Sequence, residues 1–227
     1  MQPFPLMLFA AGFGTRMGAL TRDRPKPLVP VAGRALLDYA LDIAATPCVS
    51  RRVINLHYRG DQIAQHLQGQ DIALSWEDPI LDTGGGLRAT LPLLGTGPVM
   101  LLNTDAVWTG ANPLDQLAAA WDSTRMDGLL LLSAPDQTLG HKGAGDFLVN
   151  GQGRLSRAKG STAPIYLGAQ ILQTQGLAAV DQQAFSLNVL WDQMIAKGRL
   201  YGVFHQGGWC DVGHPEAITL AESLLHG

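Results

Sequence analysis

The stretch Leu6–Gly18, LMLFAAGFGTRMG, joins a short apolar run directly to a glycine-rich segment. The run Leu6–Ala10 predicts a β-strand, because strands that a parallel sheet buries on both faces are continuous in apolar residues. Glycine lets the backbone N–H groups of the following turn approach an anion that a Cβ atom would hold away. The stretch therefore predicts a buried strand that runs into an anion-binding loop.

The same alternation of apolar runs and longer segments continues along the chain. The predicted strands are Leu6–Ala10, Arg52–Leu56, Ile72–Trp76, Val99–Asn103, Gly128–Ser133, Ile165–Ile171 and Leu200–Phe204. Helical spacing predicts helices at Ala35–Ala45, Asp61–Gln68, Gly85–Leu91, Leu114–Trp121, Leu187–Ala196 and Pro215–Leu225, and the proline of the last one suits a first helical turn. This pattern is typical of an α/β fold, in which helices cover both faces of a mostly parallel central sheet.

One segment of the second half departs from this alternation. Asp146–Val149 and Leu155–Arg157 flank the turn-rich Asn150–Gly153, which predicts an antiparallel β-hairpin. No repeat or low-complexity linker interrupts the chain. We therefore predict one domain, residues 1–227, whose second half adds a small antiparallel lobe.

Composition excludes several classes of protein. The 227 residues carry a formal net charge of -3, and 46% of them are hydrophobic, which fits a globular domain with a large core. Without a broad cationic surface, binding to a nucleic-acid backbone is disfavoured. Cys48 and Cys210 fit neither a disulfide framework nor a metal motif, and no segment reads as a signal peptide or a membrane span. We expect a cytoplasmic protein with no nucleic-acid or membrane partner.

The residues of the glycine-rich segment point to a bound polyphosphate. The dinucleotide-binding fingerprint would need glycine where Met17 stands, and a Walker A loop would need a Gly-Lys pair that the chain lacks. Arg16 can donate a forked pair of hydrogen bonds to phosphate, and Lys26 carries a point charge on a segment that two prolines stiffen. We therefore expect Arg16 and Lys26 to bind phosphates.

Two aspartates are candidate metal ligands. Asp105 follows the predicted strand Val99–Asn103, at the edge where open α/β sheets bind ligands, and Asp211 lies in another strand-to-turn context beside glycines. Carboxylates with no histidine at metal-binding spacing suit Mg²⁺ and disfavour zinc. The alternative for either aspartate alone is that it caps a turn.

These motifs together resemble those of the sugar-1-phosphate nucleotidyltransferases. The family begins with G-x-G-T-R-(M/L) and P-K-P-(L/M/V), which match Gly12–Met17 and Pro25–Leu28, and it continues with an aspartate motif and W-x-D-(V/T)-G, which match Asn103–Asp105 and Trp209–Gly213. The resemblance implies a Rossmann-like nucleotide-diphospho-sugar transferase fold. It also implies a Mg²⁺-dependent reaction of a nucleoside triphosphate with a sugar-1-phosphate that releases pyrophosphate. His214 departs from the family, which commonly has threonine there.

The resemblance also assigns roles to individual residues. It implies that residues 1–110 hold the nucleotide and residues 111–227 the sugar phosphate, and that Asp105 and Asp211 share the metal. The implied catalytic residues are Arg16, Lys26 and Asp105. The implied nucleotide-binding residues are Ala11, Gly12, Gly14, Thr15, Arg16, Lys26, Glu77, Gly85 and Asn103, and those of the sugar-phosphate pocket are Asp146, Asn150, Gly168 and Asn188. Simpler interpretations remain for three of them, since Asn150 suits a hairpin turn, Glu77 a solvated strand end and Gly85 a flexible turn.

The segment Glu77–Gly86, EDPILDTGGG, narrows the resemblance to bacterial N-acetylmuramate-1-phosphate uridylyltransferases. This implies UTP and a role in peptidoglycan sugar recycling, in a monomer or small homo-oligomer. The lactyl carboxylate of such a sugar would need a donor, for which Arg154, Arg157, Lys159 and a backbone amide are candidates; the alternative for this basic cluster is a solvated hairpin edge. The alternatives are a mannose-1-phosphate guanylyltransferase, a cytidylyltransferase for a non-sugar phosphate such as phosphocholine, and a nucleotide-binding regulator without turnover.

Overall fold

The computed structural model describes residues 3–95 and 97–227. Its strands are β1 (Phe4–Phe9), β2 (Pro30–Val31), β3 (Arg34–Ala35), β4 (Val49–Leu56), β5 (Ala73–Trp76), β6 (Val99–Asn103), β7 (Ala106–Trp108), β8 (Gly128–Ser133), β9 (Thr138–Leu139), β10 (Phe147–Val149), β11 (Leu155–Arg157), β12 (Ile165–Leu172), β13 (Leu200–Phe204) and β14 (Trp209–Asp211). Its α-helices are α1 (Leu36–Ala44), α2 (Gly60–His66), α3 (Asp82–Leu94), α4 (Pro113–Ala120), α5 (Asn188–Ala196) and α6 (Ala217–His226). Short 3₁₀ turns lie at Thr15–Thr21, Lys26–Leu28, Pro135–Gln137 and Gln175–Ala179.

The central sheet has seven strands in the order β13-β8-β12-β6-β1-β4-β5. All of its neighbouring pairs are parallel except those of β12, which runs antiparallel to β6 and β8. This confirms the predicted α/β fold with a mixed, mostly parallel sheet. Strands from both halves of the chain build the sheet, whereas the division into a nucleotide part and a sugar-phosphate part stays a prediction.

The strand β1 shows why the apolar runs had to be continuous. Leu6 and Leu8 face one core, Met7 faces the other, and all three side chains are fully buried. Helices α1, α2 and α4 supply the first core, and α3 and α5 supply the second, through Leu37, Ile63, Leu117, Leu87 and Leu190. Each such side chain contributes about 1.5–3 kcal/mol when fully buried. A polar residue in β1 would therefore face an apolar layer on either side.

Smaller sheets flank the carboxyl edge of the central sheet, the edge at which β1, β4 and β6 end. The order β7-β14-β9 forms one of them, and β10 pairs antiparallel with β11 as the predicted hairpin. In the first, Asp211 pairs with Ala106, and the amide of Val212 donates to the carbonyl of Asp105 at 2.9 Å. Backbone pairing therefore brings Asp105 and Asp211, far apart in sequence, next to each other.

Two helix starts differ from the sequence prediction by two residues or more. The helix α3 begins at Asp82 rather than Gly85, and the side chain of Asp82 accepts a hydrogen bond from the amide of Thr83. The prediction that Pro215 opens the last helix was wrong, since Pro215 lies in a turn before α6. Among residues 3–95 and 97–227, no helix has the length and apolar character needed to cross a membrane.

Candidate active site

A cleft of about 330 Å³ opens at the carboxyl edge of the sheet, where open α/β folds bind their ligands. Its walls are Phe9, Ala10, Ala11, Gly12, Gly14, Thr15, Arg16, Lys26, Pro27, Asn55, Glu77, Ile80, Asp82, Thr83, Asn103, Thr104, Asp105 and Gly213. Two groups of charged residues face it: Arg16 and Lys26 beside Asp105, and the acids Glu77 and Asp82. The positive charges of the first group attract a polyanion. The acids of the second group repel one, so an uncharged part of a ligand suits that side.

The loop after β1 offers its backbone to that ligand. On its two sides, the amide of Ala10 donates to Asn55 Oδ1 at 2.8 Å and the amide of Met17 donates to the carbonyl of Gly14 at 2.9 Å. The amides of residues 11–16 have no acceptor among the described residues. A run of free amides at the start of a helical turn is a site for an anion. The backbone of this loop therefore has free donors, and its binding of an anion stays a prediction.

Gly14 allows Lys26 to close over this loop. Its φ of 64° is in the left-handed region, and a Cβ atom on it would lie 2.9 Å from the Cβ of Lys26. The hydroxyl of Thr21 donates to the carbonyl of Gly14 at 3.0 Å and fixes the turn. Lys26, between two prolines, is only 8% exposed. An L-residue at position 14 would therefore strain the turn and push the lysine away.

The lysine neutralises a pair of neighbouring carboxylates. Lys26 Nζ lies 2.7 Å from Asp105 Oδ2. Burial, followed by the negative charge of Asp105, raises the pKa of Asp211, while the positive charges of Lys26 and Arg16 oppose that rise. Arg16 has an exposed side chain and no hydrogen bond or ion pair with any described residue. Its guanidinium is therefore available to a ligand beside the carboxylates.

The side chains around these carboxylates offer few potential metal ligands. Within the part of the chain that the structure describes, no group of three or more His, Cys, Asp and Glu side chains could hold a metal ion. His214 places its Nε2 atom 3.1 Å from the carbonyl of Gly140 and its Nδ1 atom 2.8 Å from Glu216. It therefore anchors a neighbouring loop, and its ring nitrogens contact neither Asp105 nor Asp211.

Glu77 is buried and fixes the other side of the cleft. One carboxylate oxygen accepts from Asn55 Nδ2 at 2.7 Å and the other from the amide of Leu81 at 2.8 Å. A Cβ atom on Gly86 would lie 2.5 Å from Glu77 Oε1. Glu77 is 4% exposed, so it is not the solvated strand-end charge that the sequence also allowed. It joins the end of β4 to the start of α3.

The other two glycines of the run pack against the segment Val180–Leu187. The amides of Gly84 and Gly85 both donate to the carbonyl of Phe185, at 2.8 and 3.1 Å. Arg88 holds the same segment, because it donates to the carbonyls of Val180 and Gln182 and lies 4.8 Å from the centre of the Phe185 ring. The amides of Gly84 and Gly85 are thus already used inside the protein.

The second half of the chain reaches the site through β12. Gly168 has a φ of 85°, and a Cβ atom on it would lie 2.9 Å from the Cβ of Asn103. The amide of Tyr166 donates to Asp146 Oδ2 at 2.8 Å. Burial, and then the charges of Asp146 and Asp105, raise the pKa of Tyr166 well above its usual value. Gly168 therefore packs against Asn103, which itself lines the cleft.

Comparison with known proteins identifies the family of this chain. Residues 6–137 match the family described as the MobA-like NTP transferase domain. The chain is 42% identical over 233 residues to the N-acetylmuramate alpha-1-phosphate uridylyltransferase of Caulobacter vibrioides, with 96% of each chain covered. This chain belongs to the sugar-1-phosphate nucleotidyltransferase family. It is an enzyme of the nucleotidyltransferase class.

Further relatives agree with this membership. The nucleotidyltransferase is 31% identical over 231 residues to the N-acetylmuramate alpha-1-phosphate uridylyltransferase of Neisseria meningitidis serogroup B, again with 96% of each chain covered. The crystal structure of HddC from Yersinia pseudotuberculosis, complexed with GMP-PN, has a TM-score of 0.72 over 97% of this chain and 98% of that one. At 18% identity this second likeness shows the shared fold.

The cleft of the nucleotidyltransferase brings together most of the residues predicted for the nucleotide. Ala11, Gly12, Gly14, Thr15, Arg16, Lys26, Glu77 and Asn103 all line it, and so does Asp105, the predicted catalytic residue and metal ligand. Asp211 and Gly168 lie directly beside lining residues, and Asp146 contacts the backbone of β12. The roles of these residues in binding and catalysis stay predictions.

Three predicted residues lie elsewhere. Gly85 faces the backbone of Gln183 rather than the cleft. The side chain of Asn150 accepts hydrogen bonds from the amides of Gln152 and Arg154, as is typical of a hairpin-turn residue. Asn188 is exposed at the start of α5, where its amide group donates to a serine hydroxyl. The structure does not bring these three side chains to the cleft.

The site residues predicted from the sequence leave out nine lining residues: Phe9, Ala10, Pro27, Asn55, Ile80, Asp82, Thr83, Thr104 and Gly213. Asn55 could have been found, since it lies one residue before the end of the predicted strand Arg52–Leu56, at the same edge as Asn103. The hydroxyl of Thr104 donates to the carbonyl of Phe9 at 2.7 Å and ties two central strands together. Ile80 reaches the cleft from the segment before α3, and Asp82 and Thr83 reach it from the first turn of α3, which begins earlier than the sequence predicts.

Proposed function

We propose that this nucleotidyltransferase transfers a uridylyl group from UTP to N-acetylmuramate 1-phosphate and releases pyrophosphate. The observation that carries the proposal is the similarity over 96% of both chains to two proteins named for this activity, at 42% and 31% identity. The cleft supports it, because free loop amides, Arg16 and Lys26 meet beside two carboxylates. A nucleoside triphosphate and a sugar phosphate both carry the charge that such a site accepts.

The reaction needs positioning and charge neutralisation rather than a base. A phosphate oxygen of the sugar-1-phosphate, already anionic at neutral pH, forms a bond to the α-phosphorus of the nucleotide. The bond from that phosphorus to the oxygen bridging to the β-phosphate breaks, and the electron pair leaves with pyrophosphate. The exposed guanidinium of Arg16 and the loop amides orient the triphosphate, and Lys26 supplies a further positive charge. These groups lower the repulsion between two polyanions.

The donor set fits Mg²⁺. Asp105 and Asp211 would hold the ion, because Mg²⁺ is bound through one or two carboxylates together with phosphate oxygens and needs no cluster of protein ligands. When bound, the ion neutralises negative charge on the transferring phosphate. Lys26 neutralises Asp105 where the two lie 2.7 Å apart. The neighbouring carboxylates therefore have a cation beside them, as their mutual repulsion requires.

The uncharged part of the nucleotide fits the remaining wall. Glu77 and Asp82 would repel phosphates, so the base and ribose belong near Ile80, Asp82 and Thr83. Groups that hydrogen-bond the edge of a base reject a mismatched edge strongly, but they distinguish an added methyl group only weakly. We therefore propose that UTP and dTTP are both used and that GTP is used much less.

We propose that the protein acts as a monomer or small homo-oligomer in peptidoglycan sugar recycling. Its two cysteines support a cytoplasmic location. Both are free thiols. Burial raises the pKa of Cys48 to about 11 and that of Cys210 to about 12. Thiols that stay protonated at neutral pH react slowly, which suits two cysteines without a chemical role.

A pyrophosphate-release assay with UTP, dTTP, GTP and CTP tests the proposal. The acceptors are N-acetylmuramate 1-phosphate, N-acetylglucosamine 1-phosphate, mannose 1-phosphate and phosphocholine. The highest kcat/KM should belong to UTP with N-acetylmuramate 1-phosphate. A preference for GTP with mannose 1-phosphate, or for CTP with phosphocholine, would replace the proposal. Nucleotide binding without pyrophosphate release would show a regulator.

A further inference from the structure

Two walls of the cleft follow strands that are not neighbours in the sheet. Residues 10–16 after β1 form the loop wall, which carries the free amides, and residues 80–83 after β5 form the helix wall at the start of α3. The strand β4 lies between β1 and β5. Neighbouring strands are about 4.8 Å apart, so about 10 Å separates β1 from β5. A side chain of β4 is therefore placed to link the two walls.

Asn55, one residue before the end of β4, makes this link together with Glu77. Asn55 Oδ1 accepts from the amide of Ala10 at 2.8 Å, and Asn55 Nδ2 donates to Glu77 Oε1 at 2.7 Å. Glu77 Oε2 accepts from the amide of Leu81 at 2.8 Å. Both linking residues are buried, so water competes little for these groups. Three hydrogen bonds in series therefore connect the loop wall to the helix wall.

The backbone fixes the direction of each of these hydrogen bonds. A backbone N–H can only donate, so the amide of Ala10 takes the carbonyl oxygen of Asn55 and leaves Asn55 Nδ2 to face Glu77. The amide of Leu81 on the other side also donates. Residue 77 must therefore accept on both sides. A carboxylate does this, whereas a carboxamide accepts through one atom and donates through the other.

The helix α3 packs directly on this pair of side chains. A Cβ atom on Gly86 would lie 2.5 Å from Glu77 Oε1 and 3.2 Å from Asn55 Nδ2. The missing side chain of Gly86 therefore lets the start of α3 approach both polar groups. Asp82 and Thr83 line the cleft from the first turn of the same helix. A change in the Asn55–Glu77 contact would therefore displace these two residues relative to the loop wall.

We propose that Asn55 and Glu77 are positioning residues that fix the separation of the two walls, so that the cleft fits a ligand with a base at one end and a triphosphate at the other. The assignment rests on the proposed function where it names UTP as that ligand. Glu77 then acts through Asn55 and Leu81 and does not read the base itself. A misplacement of about 1 Å between groups that hold a substrate costs about 100-fold in rate.

Exchanging the two functional groups tests this assignment. In Asn55→Asp two carboxylates face each other, and in Glu77→Gln one N–H of the new carboxamide faces another donor. Each single variant should lower kcat/KM for UTP by about 10–100-fold. In the double variant the new carboxamide donates to the new carboxylate, and the amides of Ala10 and Leu81 keep their acceptors. Its kcat/KM should return to within about threefold of wild type, because the two changes are coupled.

Inhibition by the two halves of the nucleotide distinguishes positioning from direct contact. Uridine and pyrophosphate each need one wall only, whereas UTP needs both walls at the correct separation. Both single variants should therefore leave the inhibition constants of uridine and of pyrophosphate nearly unchanged while kcat/KM for UTP falls. A Glu77 carboxylate that read the base itself would instead weaken inhibition by uridine in Glu77→Gln and in the double variant alike.

Gln170→Met is the matched control for the loss of a buried hydrogen bond. Gln170 Oε1 accepts from Trp191 Nε1 at 2.9 Å, and neither residue lines the cleft. This variant should lower the melting temperature and keep kcat/KM for UTP.

Three results would overturn the assignment: single variants that, like this control, lose only stability; a double variant as impaired as Glu77→Gln alone; or inhibition by uridine that weakens with Glu77→Gln. If Asn55→Asp does not fold, the comparison of the double variant with Glu77→Gln alone decides in the same way. If the wild-type enzyme prefers another nucleoside triphosphate, the proposed function fails, and the same variants test the pair with that nucleotide and its nucleoside.

Discussion

Gly84→Ala should lower the stability of the protein and Gly12→Ala its activity, because the two glycines face different neighbours. A Cβ atom on Gly84 would lie 2.5 Å from Cδ2 of the Phe185 ring and 2.8 Å from the carbonyl oxygen of the same residue. A Cβ atom on Gly12 would meet nothing within 4 Å, although Gly12 lines the cleft. Gly84 is therefore needed for packing, and Gly12 is left open to a ligand.

The cost of Gly84→Ala follows from these contacts. Overpacking a filled site costs about 1–3 kcal/mol, and the upper end applies because the Phe185 carbonyl cannot retreat while it accepts from Gly84 and Gly85. Alanine regains about 1 kcal/mol of helix propensity inside α3. The net loss is about 2 kcal/mol. At about 2–4 °C per kcal/mol for a chain of this length, the melting temperature should fall by about 4–8 °C.

Gly12→Ala should leave the melting temperature almost unchanged and remove activity. An exposed position without a steric clash usually changes stability by less than about 0.5 kcal/mol. The added methyl group, however, would stand in the loop whose free amides face the anion. Loss of such preorganised donors lowers turnover by about 10²–10³-fold. The effect should appear in kcat as well as in KM for UTP.

Thermal melts without nucleotide and pyrophosphate-release kinetics measure both effects. Gly151→Ala is the matched control, since its Cβ atom would also meet nothing within 4 Å but lies in the hairpin turn, and it should change neither quantity. A wild-type melting temperature for Gly84→Ala would refute the packing argument. Normal turnover by Gly12→Ala would refute the assignment of the loop to the triphosphate.

Three further variants test the carboxylates and the arginine. Asp105→Ala should lower turnover by roughly a hundredfold or more, and full pyrophosphate release in excess chelator would contradict the metal requirement. In metal-free protein, Asp211→Asn should melt higher than wild type at pH 7. Burial and the charge of Asp105 raise the folded-state pKa of Asp211, so the ionised carboxylate destabilises the fold above that pKa. Melts as a function of pH should show the advantage vanishing below the ordinary aspartate pKa of about 3.9, and an advantage that persists there would have another cause. Arg16→Ala should leave the melting temperature unchanged, since its side chain has no partner, while turnover falls steeply; early unfolding with normal activity of the folded fraction would make Arg16 structural.

The central sheet could be predicted from the sequence because burial on both faces leaves a local pattern. Val99–Asn103, Gly128–Ser133 and Leu200–Phe204 have the same bounds in the prediction and in the structure. The antiparallel direction of β12 could not be predicted, since apolar runs have no direction. The sheet β7-β14-β9 was missed for a different reason, because strands of two or three residues are too short to show a period.

The site was predictable where its residues lie close in sequence. The glycine loop and Arg16 follow one strand, and steric arguments from that short stretch were enough to expect an anion site. The sequence indicated only part of the role of Lys26. The sequence indicated a phosphate ligand, whereas the structure shows a lysine that is 8% exposed and paired with Asp105, so that its removal would also leave a carboxylate without its cation.

The run Gly84–Gly86 shows what a sequence cannot tell about glycine. The resemblance assigned Gly85 of this run to the nucleotide, but the three missing side chains make room for Phe185, Gln183 and Glu77. The same residue type at Gly12 has empty space beside it. Only the atoms around each missing Cβ distinguish the two uses, and those atoms come from distant parts of the chain. Because the Gly84 and Gly85 amides are already bonded to Phe185, we predict that substitutions at Ile80, Asp82 and Thr83, which line the cleft, alter the choice of nucleotide more than substitutions in the glycine run.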